Sequence, residues 1–437
     1  MKSLWDDNVK ISNFTPMSED RYADVLIIGG GMTGVLCAYQ LKQQGVDCLL
    51  LESDRIGGGT TSGTTAKVTA QHGLCYHKLL SRHGADFARG YYDANAASIE
   101  EFRRLAVGIP CDFVTTDNLI YSRRSERVID RELEALDKIG RPALLAEELP
   151  LPFPTKGAVK FSKQAQFHPR KFLAGIVKGL SICERTPVLK LDGCTAYTPR
   201  GKVRAEKIIV ATHFPFLNTR GLYWMRLHQS RSYVLALKNA PPITGMYMDE
   251  QDDGLSFRPH GDYLLLGGGG KRTGKPCGGF EPLERFAIQH YPTAEVSYRW
   301  AEQDCMSLDG IPYIGQYAPG LPHLYVASGF NKWGMTSAMV AATLLTDLIL
   351  ERPNTAAAIF SPSRPPALLP LTANIGSSIV GMLTPTLHRC THLGCGLHYN
   401  RREHSWDCPC HGSRYAKNGQ VLDGPAKKPK NPKKAPN

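Results

Sequence analysis

A strand–turn–helix–strand unit near the start of the chain sets most of what the chain can fold into. Asp24-Val-Leu-Ile-Ile28 is apolar without interruption, as expected of a strand buried on both faces of a parallel sheet. It runs into Gly29-Gly-Gly31-Met32-Thr33-Gly34, and a helical stretch follows from Val35 to about Gln44. Gly29 permits the tight turn, Gly31 lets the backbone approach a pyrophosphate, and Gly34 lets helix and strand pack closely, so the helix N-terminus faces the phosphates. A second apolar strand, Val46-Asp-Cys-Leu-Leu-Leu51, ends at Glu52, 23 residues after Gly29 and placed to accept both hydroxyls of an adenosine ribose.

A second constraint lies near the C-terminus. Cys390-Thr-His392-Leu-Gly-Cys395 and Cys408-Pro-Cys410-His411-Gly-Ser413-Arg-Tyr415 put four cysteines and two histidines within 22 residues. One Cys-x-His pair and one Cys-x-x-His pair offer two thiolates and two imidazoles, a set that zinc accepts. It is equally the set of an iron–sulfur centre in which two histidines replace two cysteines on one iron. Cys395, Cys410, the glycine of each loop and the Ser-x-Tyr are surplus to zinc. The run closely resembles the Rieske loops of cytochrome bc-type complexes. That resemblance implies a [2Fe–2S] cluster held by Cys390, His392, Cys408 and His411, and a disulfide between Cys395 and Cys410. It also implies hydrogen bonds from Ser413 and Tyr415 to the cluster sulfurs.

The segment after Glu52, Ser53-Asp-Arg-Ile-Gly57-Gly-Gly59-Thr60-Thr61-Ser62-Gly-Thr-Thr-Ala-Lys67, resembles the FAD-dependent D-amino-acid oxidase and glycine oxidase superfamily. There such a segment wraps the pyrophosphate, ribityl chain and flavin ring. Lys207-Ile-Ile-Val-Ala211-Thr212 resembles the second strand-turn of that family. Asp309-Gly-Ile-Pro-Tyr-Ile-Gly315 and Tyr325-Val-Ala-Ser-Gly329-Phe-Asn-Lys-Trp-Gly334-Met335-Thr336 resemble its closing loop and last helix, and Val188 a looser adenine contact. The resemblance covers residues from about 22 to 352 and implies FAD as cofactor, with the last helix stabilising negative charge on the reduced flavin. Related sarcosine oxidases attach FAD through a Cys-Met dipeptide in the region of Cys305-Met306; a buried thiol is the default reading of Cys305.

The fold class expected is therefore α/β: a Rossmann-like FAD-binding domain with an interleaved antiparallel substrate domain, plus a small, shortened all-β Rieske module. The FAD-binding parts fall at about 22–75, 186–215 and 305–352, and the substrate parts at 76–185 and 216–304. Helical patterns cross Cys75 to Gly108 and Arg131 to Ile139. Residues 353–370, with five prolines, read as a stiff extended linker. The Rieske module spans 371–426, with only Ser378–Leu383 strand-like ahead of the ligands. A basic, disordered tail occupies 427–437, where Lys427, Lys428, Lys430, Lys433 and Lys434 supply five of the formal charge of +12.

The eight other cysteines are unpatterned and read as buried thiols of a reducing compartment. The N-terminus lacks the pattern of a secretory signal, and no apolar run reaches bilayer-spanning length, so a cytoplasmic location is expected, with a weak membrane-surface or acidic-partner contact through the tail. No basic helix or aromatic platform accompanies the charge, which argues against nucleic acid.

A hydride-accepting flavin joined to a one-electron cluster implies a dehydrogenase. Its substrate would be a small amine, amino acid or hydroxy acid, and electrons would leave singly to an acceptor protein or quinone. The opposite direction of flow, and a redox sensor or carrier without turnover, are the alternatives. Amino-acid oxidases of this superfamily often place an Arg-Pro ahead of the Asp-Gly-x-Pro turn to clamp the substrate carboxylate; Asp304-Cys305-Met-Ser-Leu-Asp309 stands there instead. Arg231 and Arg258, on the expected substrate sheet, are substitute candidates, and His213 is a candidate for the pocket. No general base is assigned.

Overall fold

The computed structural model describes residues 2–7, 9–217 and 220–430. The opening unit forms as the sequence predicts. The strand Arg21–Ile28 leads into the helix Met32–Gln43 and then the strand Cys48–Leu51, with Val25 to Ile28 paired in parallel register with Cys48 to Leu51. Alternate side chains go to opposite faces: Val25, Ile27 and Leu50 enter one core and Leu26, Ile28 and Leu51 another. That double burial is why Val25 to Ile28 includes no polar position. Gly201–Val210 and Leu324–Ser328 extend the parallel sheet on one side and Ile182–Cys183 on the other, while Tyr313–Gln316 closes an edge antiparallel. The helix Gly334–Ile349 packs beside Met32–Gln43.

The second sheet carries the interleaved domain. Its strands run in the order Glu295–Ser307, Leu227–Lys238, Tyr263–Arg272, Ser256–His260, Met246–Asp249, Val114–Tyr121, Ala158–Gln166 and Lys67–Val68. It is antiparallel as expected, apart from the pair Met246–Asp249 with Val114–Tyr121, which is parallel. Helices Tyr76–His83 and Ala85–Ala106 fall within the expected pattern Cys75–Gly108, while Glu126–Lys138 begins five residues ahead of the expected Arg131–Ile139.

The C-terminal module contains a four-stranded antiparallel sheet, His398–Asn400, Ser405–Asp407, Arg414–Ala416 and Val421–Asp423. Two expectations ahead of it are corrected. Ser378–Leu383 is no strand but the end of a 16-residue helix, Leu368–Leu383. Pro370 sits in the first turn of that helix, where the missing N–H costs no intrahelical bond. The linker is not extended throughout either, since Ala357–Phe360 forms a helical turn and Arg364 is buried against Asp309. Of the expected tail, Lys430 is buried over Trp406, while Lys427, its ammonium over Phe216, and Lys428 stay exposed. Residues 431–437, with Lys433 and Lys434, lie outside the described residues.

Candidate functional site

One long cavity is lined by residues from both sheets. Gly29, Gly31, Met32, Thr33, Glu52, Ser53, Thr60, Thr61, Ala211, Thr212, His213, Gly329, Gly334 and Met335, all expected at the site, border it. Gly34, Val188 and Thr336 do not. Gly34 instead does the packing that its place in the turn predicts, because an added Cβ would overlap the carbonyl of Gly29. Gly29 has φ +109, and a Cβ there would meet the Ala211 carbonyl oxygen at 2.5 Å, so only glycine fits. Thr336 is buried and bonded to His72 Nε2 at 2.9 Å, and Val188 packs in the core beneath the sheet.

The cradle fits a dinucleotide. The N-termini of two long helices, at Gly31 and Gly334, open onto the same cavity, as two sites for negative charge require. Gly59 and Gly334 border open space, with no atom within 4 Å of where a Cβ would stand. Glu52 lies at the end of its strand; its carboxylate accepts from the backbone N–H groups of Gly30 at 2.6 Å and Asp54 at 2.7 Å, which fixes its orientation.

Beyond the sequence candidates, the cavity holds Lys67, Glu302 and Asp304. Glu302 and Asp304 alternate on the strand Glu295–Ser307, and among the described residues neither has an ion-pair partner within 4.0 Å. Both are half-buried, with surface towards the cavity. Burial pushes the Glu302 carboxyl up to about 7 and that of Asp304 up to about 6. Burial draws the Lys67 ammonium down to about 7. Two acids at alternate positions of a half-buried strand were a readable signal for Glu302 and Asp304. Lys67 closes the flavin-wrapping segment, and nothing in its local sequence marks it as part of the cavity.

His213 lines the cavity with φ +64, its Nδ1 3.4 Å from Thr60 Oγ1 and its Nε2 buried without a hydrogen bond. Burial lowers its pKa, which keeps the ring neutral. Cys305 borders the cavity as a free thiol beside Ser328 Oγ at 3.6 Å. The two arginine candidates are corrected. Arg231 is buried in a two-pronged pair with Glu403 of the C-terminal module, with contacts of 2.6–2.9 Å. Arg258 is fully buried, bonded to Gln166 Oε1 and the carbonyls of Thr65 and Phe167, with its guanidinium over Trp5. Neither borders the cavity.

The Cys/His run forms a second, separate site. Cys390, Cys408 and His411 are buried, and the rings of His392 and His411 stand 5.1 Å apart at 84°. Both ring nitrogens of His411 are buried with no hydrogen bond of ordinary geometry, the mark of an imidazole reserved for a metal. Tyr415 Oη lies 3.3 Å from Cys390 Sγ, and Ser413, the second expected donor, is buried with its hydroxyl accepting from the Ala426 N–H at 3.0 Å. Hydrogen bonding from Cys408, then Tyr415, lowers the Cys390 thiol despite its burial, favouring the thiolate a metal needs. The sulfurs of Cys395 and Cys410, the expected pair, and that of Cys408 lie mutually within 4.8 Å. The donor set therefore fits a [2Fe–2S] group.

The two sites share one sheet as their partition. On Leu227–Lys238, Gln229, Arg231 and Tyr233 alternate, and all three reach the C-terminal module. Gln229 Nε2 donates to the carbonyls of His411 (2.9 Å) and Gly424 (2.8 Å), and Tyr233 Oη to Glu403 (2.7 Å). On Glu295–Ser307, Gln303 donates to the Gly412 carbonyl at 2.8 Å, while Glu302 and Asp304 turn the other way into the cavity. Arg272 donates to the carbonyls of Pro409 and Cys410. The histidines themselves face aromatic residues of the cavity domain, His392 meeting Phe214 and His411 meeting Trp224 at 5.9 Å between ring centroids. Sequence reasoning missed these contacts, because no local pattern says what covers a strand's outer face.

Comparison with known proteins agrees with the geometry. Residues 24–348 match the FAD dependent oxidoreductase family and residues 378–434 the Rieske [2Fe-2S] domain. The putative Rieske 2Fe-2S iron-sulfur protein YhfW of Bacillus subtilis is 34% identical over 98% of this chain and 96% of its own length. A gamma-glutamylputrescine oxidoreductase of Escherichia coli is 23% identical over 78% of this chain and 86% of its own. Among solved structures, glycine oxidase from Geobacillus kaustophilus superimposes with a TM-score of 0.63 at 20% identity, covering 79% of this chain and 99% of that one.

Proposed function

Given that the chain belongs to the FAD dependent oxidoreductase family, ends in a Rieske domain and binds both FAD and a [2Fe–2S] cluster, we propose that it oxidises a small amine and hands the electrons singly to an external acceptor. When bound, FAD accepts a hydride from a substrate C–H and the cluster carries one electron at a time. In this reading Gly29, Gly31, Met32, Thr33, Glu52, Ser53, Thr60, Thr61, Ala211, Thr212, Gly329, Gly334 and Met335 hold the flavin nucleotide. Cys390, His392, Cys408 and His411 hold the cluster, Ser413 and Tyr415 bond to its sulfurs, and Cys395 and Cys410 pair to tie the loops together.

The observation that carries the proposal is the strand Glu295–Ser307. It presents Glu302 and Asp304 to the cavity and Gln303 to the cluster loop. Two unpaired carboxylates attract a protonated amine, whereas an amino acid also needs a fixed cation for its carboxylate. The cavity's cations are poorly suited to that task. Arg55 is engaged by Asn13 and Glu184, Lys332 donates to the Asp252 carbonyl, and burial draws Lys67 towards neutrality. The similarity to an oxidoreductase of gamma-glutamylputrescine is consistent with this reading.

A panel of amines, D-amino acids and hydroxy acids, offered with cytochrome c as one-electron acceptor, tests it. Turnover is expected with an amine, and His411→Ala should retain substrate bleaching of the flavin while losing cytochrome reduction. Equal turnover by that variant would remove the cluster from the electron path. No flavin bleaching by any amine would remove the substrate assignment.

A further inference from the structure

The helix Leu368–Leu383 is turned inside out. Its inward face carries Asn374, Ser378 and Gly381, its three buried residues. Asn374 accepts from Arg272 Nη2 at 2.7 Å and donates to the Met225 carbonyl at 2.8 Å. Gly381 lies against Cys410, whose sulfur a Cβ would strike. The opposite face holds Leu368, Leu369, Ile379, Val380 and Leu383, between 51% and 84% exposed, and Leu387 just beyond the helix is 80% exposed. At 100° per residue these helical positions form one stripe centred opposite Asn374 and Ser378. A helix that turns Asn374 and Ser378 inward and leaves its leucines in water is built for an apolar surround.

The charge around it identifies that surround. The helix has no ionisable residue, and residues 352–402 contain five arginines and no acid. Arg389 caps the helix by donating to the carbonyls of Met382 and Thr384, which places its charge at the end of the apolar stripe. Exposed Lys427 and Lys428 follow, the Lys428 carbonyl accepting from Thr391 beside the same loop. The module's three acids, Glu403, Asp407 and Asp423, are neutralised by Arg414, with Arg231 beside Glu403 and Asp423. An acidic protein groove would suit the cations but not a convex stripe whose one polar side chain is Thr372, its hydroxyl turned back to the Leu369 carbonyl. No helix among the described residues is long and apolar enough to cross a membrane. We propose that Leu368–Leu383 lies in the surface of an anionic lipid bilayer, its leucines among the acyl chains and Arg389, Lys427 and Lys428 at the headgroups. This is independent of the amine assignment.

Sedimentation of the holoprotein with vesicles tests it. Vesicles of phosphatidylglycerol and phosphatidylcholine in equal amounts should bring the protein down, and phosphatidylcholine alone should do so at least tenfold less well. Ile379→Asp with Leu383→Asp should reduce binding to the anionic vesicles at least tenfold, and Lys427→Glu with Lys428→Glu should reduce it severalfold. Both variants change exposed side chains, so retained flavin absorbance and cluster EPR identify intact protein; Leu369→Asp, nearly three turns away from Ile379, provides the same test should the first pair not fold. Absence of vesicle binding by the wild-type protein, binding unchanged by the aspartate variants, or equal binding to phosphatidylcholine alone would overturn the proposal. So would a concentration-dependent dimer in lipid-free buffer that the aspartate variants dissolve, because the stripe would then serve a second copy.

Discussion

Phe214 stands edge-on to His392, their ring centroids 6.3 Å apart and their planes at 82°, and the residue before it, His213, lines the flavin cavity. A single peptide unit thus joins the walls of the two sites. If that contact lies on the electron path, Phe214→Ala should slow cytochrome reduction while leaving the rate of flavin bleaching unchanged in rapid mixing. Equal loss of both rates would show a folding defect instead.

The buried carboxyls predict a pH dependence. Burial raises Glu302 to about 7 and Asp304 to about 6, so below about pH 6 both are protonated and attract no ammonium. The KM for an amine should climb as pH falls through 7, approaching about tenfold per unit where one carboxyl titrates. Glu302→Gln should raise KM at pH 8 and flatten the climb. Stability runs in the opposite sense. The folded state holds these protons to higher pH than the unfolded chain, so stability falls as pH rises from about 4 to 7, and less so in Glu302→Gln.

The module's docking rests on Arg231 and Glu403. Burial alone would raise the Glu403 carboxyl, but hydrogen bonds and charge from Arg231, with Arg414 beside it, hold it below its ordinary value. A depressed carboxyl contributes stability above its unfolded pKa and loses it as pH falls through the folded one, so docking should fail only in acid, below about pH 4. Arg231→Ala should cost about 3 kcal/mol, the low end for breaking a buried pair, because Arg414 and Tyr233 still engage Glu403. Arg231→Lys should recover little of it, since one ammonium does not replace the two-pronged contact. Thermal unfolding of the holoprotein measures both.

The two hydrogen bonds assigned to the cluster sulfurs set a fourth expectation. Tyr415→Phe and Ser413→Ala should each lower the reduction potential, by about 40 mV if each bond is worth about 1 kcal/mol to the reduced state. The losses should add, as read by redox titration of the EPR signal. An unchanged potential in either variant would remove that residue's assigned role.

Gly31→Val should give folded protein without flavin. An added Cβ at Gly31 meets only Thr61 Oγ1 at 3.4 Å, an ordinary contact, so the backbone tolerates it, while the branches of valine project towards the cavity. Gly34→Ala should instead damage the fold, because its Cβ overlaps the Gly29 carbonyl. Flavin absorbance after gel filtration, set beside circular dichroism, separates the two.

What could be read in advance was what is local. Gly29 to Glu52 are a contiguous stretch whose spacing states its own geometry, and the Cys390–Tyr415 run does the same for its donor set. Arg231 and Arg258 were misread for a shared reason. Alternation on a strand separates two faces but does not say which faces the cavity and which is covered by a segment distant in sequence. Glu403 lies 172 residues from Arg231. The helix Leu368–Leu383 escaped because Ser378-Ile-Val-Gly-Met-Leu383 has strand-like composition, and its apolar stripe faces outwards, against the usual rule.

The strand between the two sites leaves the sequence no room to drift. Glu302 and Asp304 belong to the cavity, and Gln303 holds the Gly412 carbonyl. Cys305 lies by Ser328, whose hydroxyl donates to the His213 carbonyl at 2.5 Å. Four consecutive positions are thus each committed to one site or the other, and none is idle. A substitution meant to retune substrate choice at 302 or 304 acts one peptide bond from the residue that seats the cluster loop. Changing what this protein oxidises and changing where its electrons go are, along this stretch, edits to a single line of text.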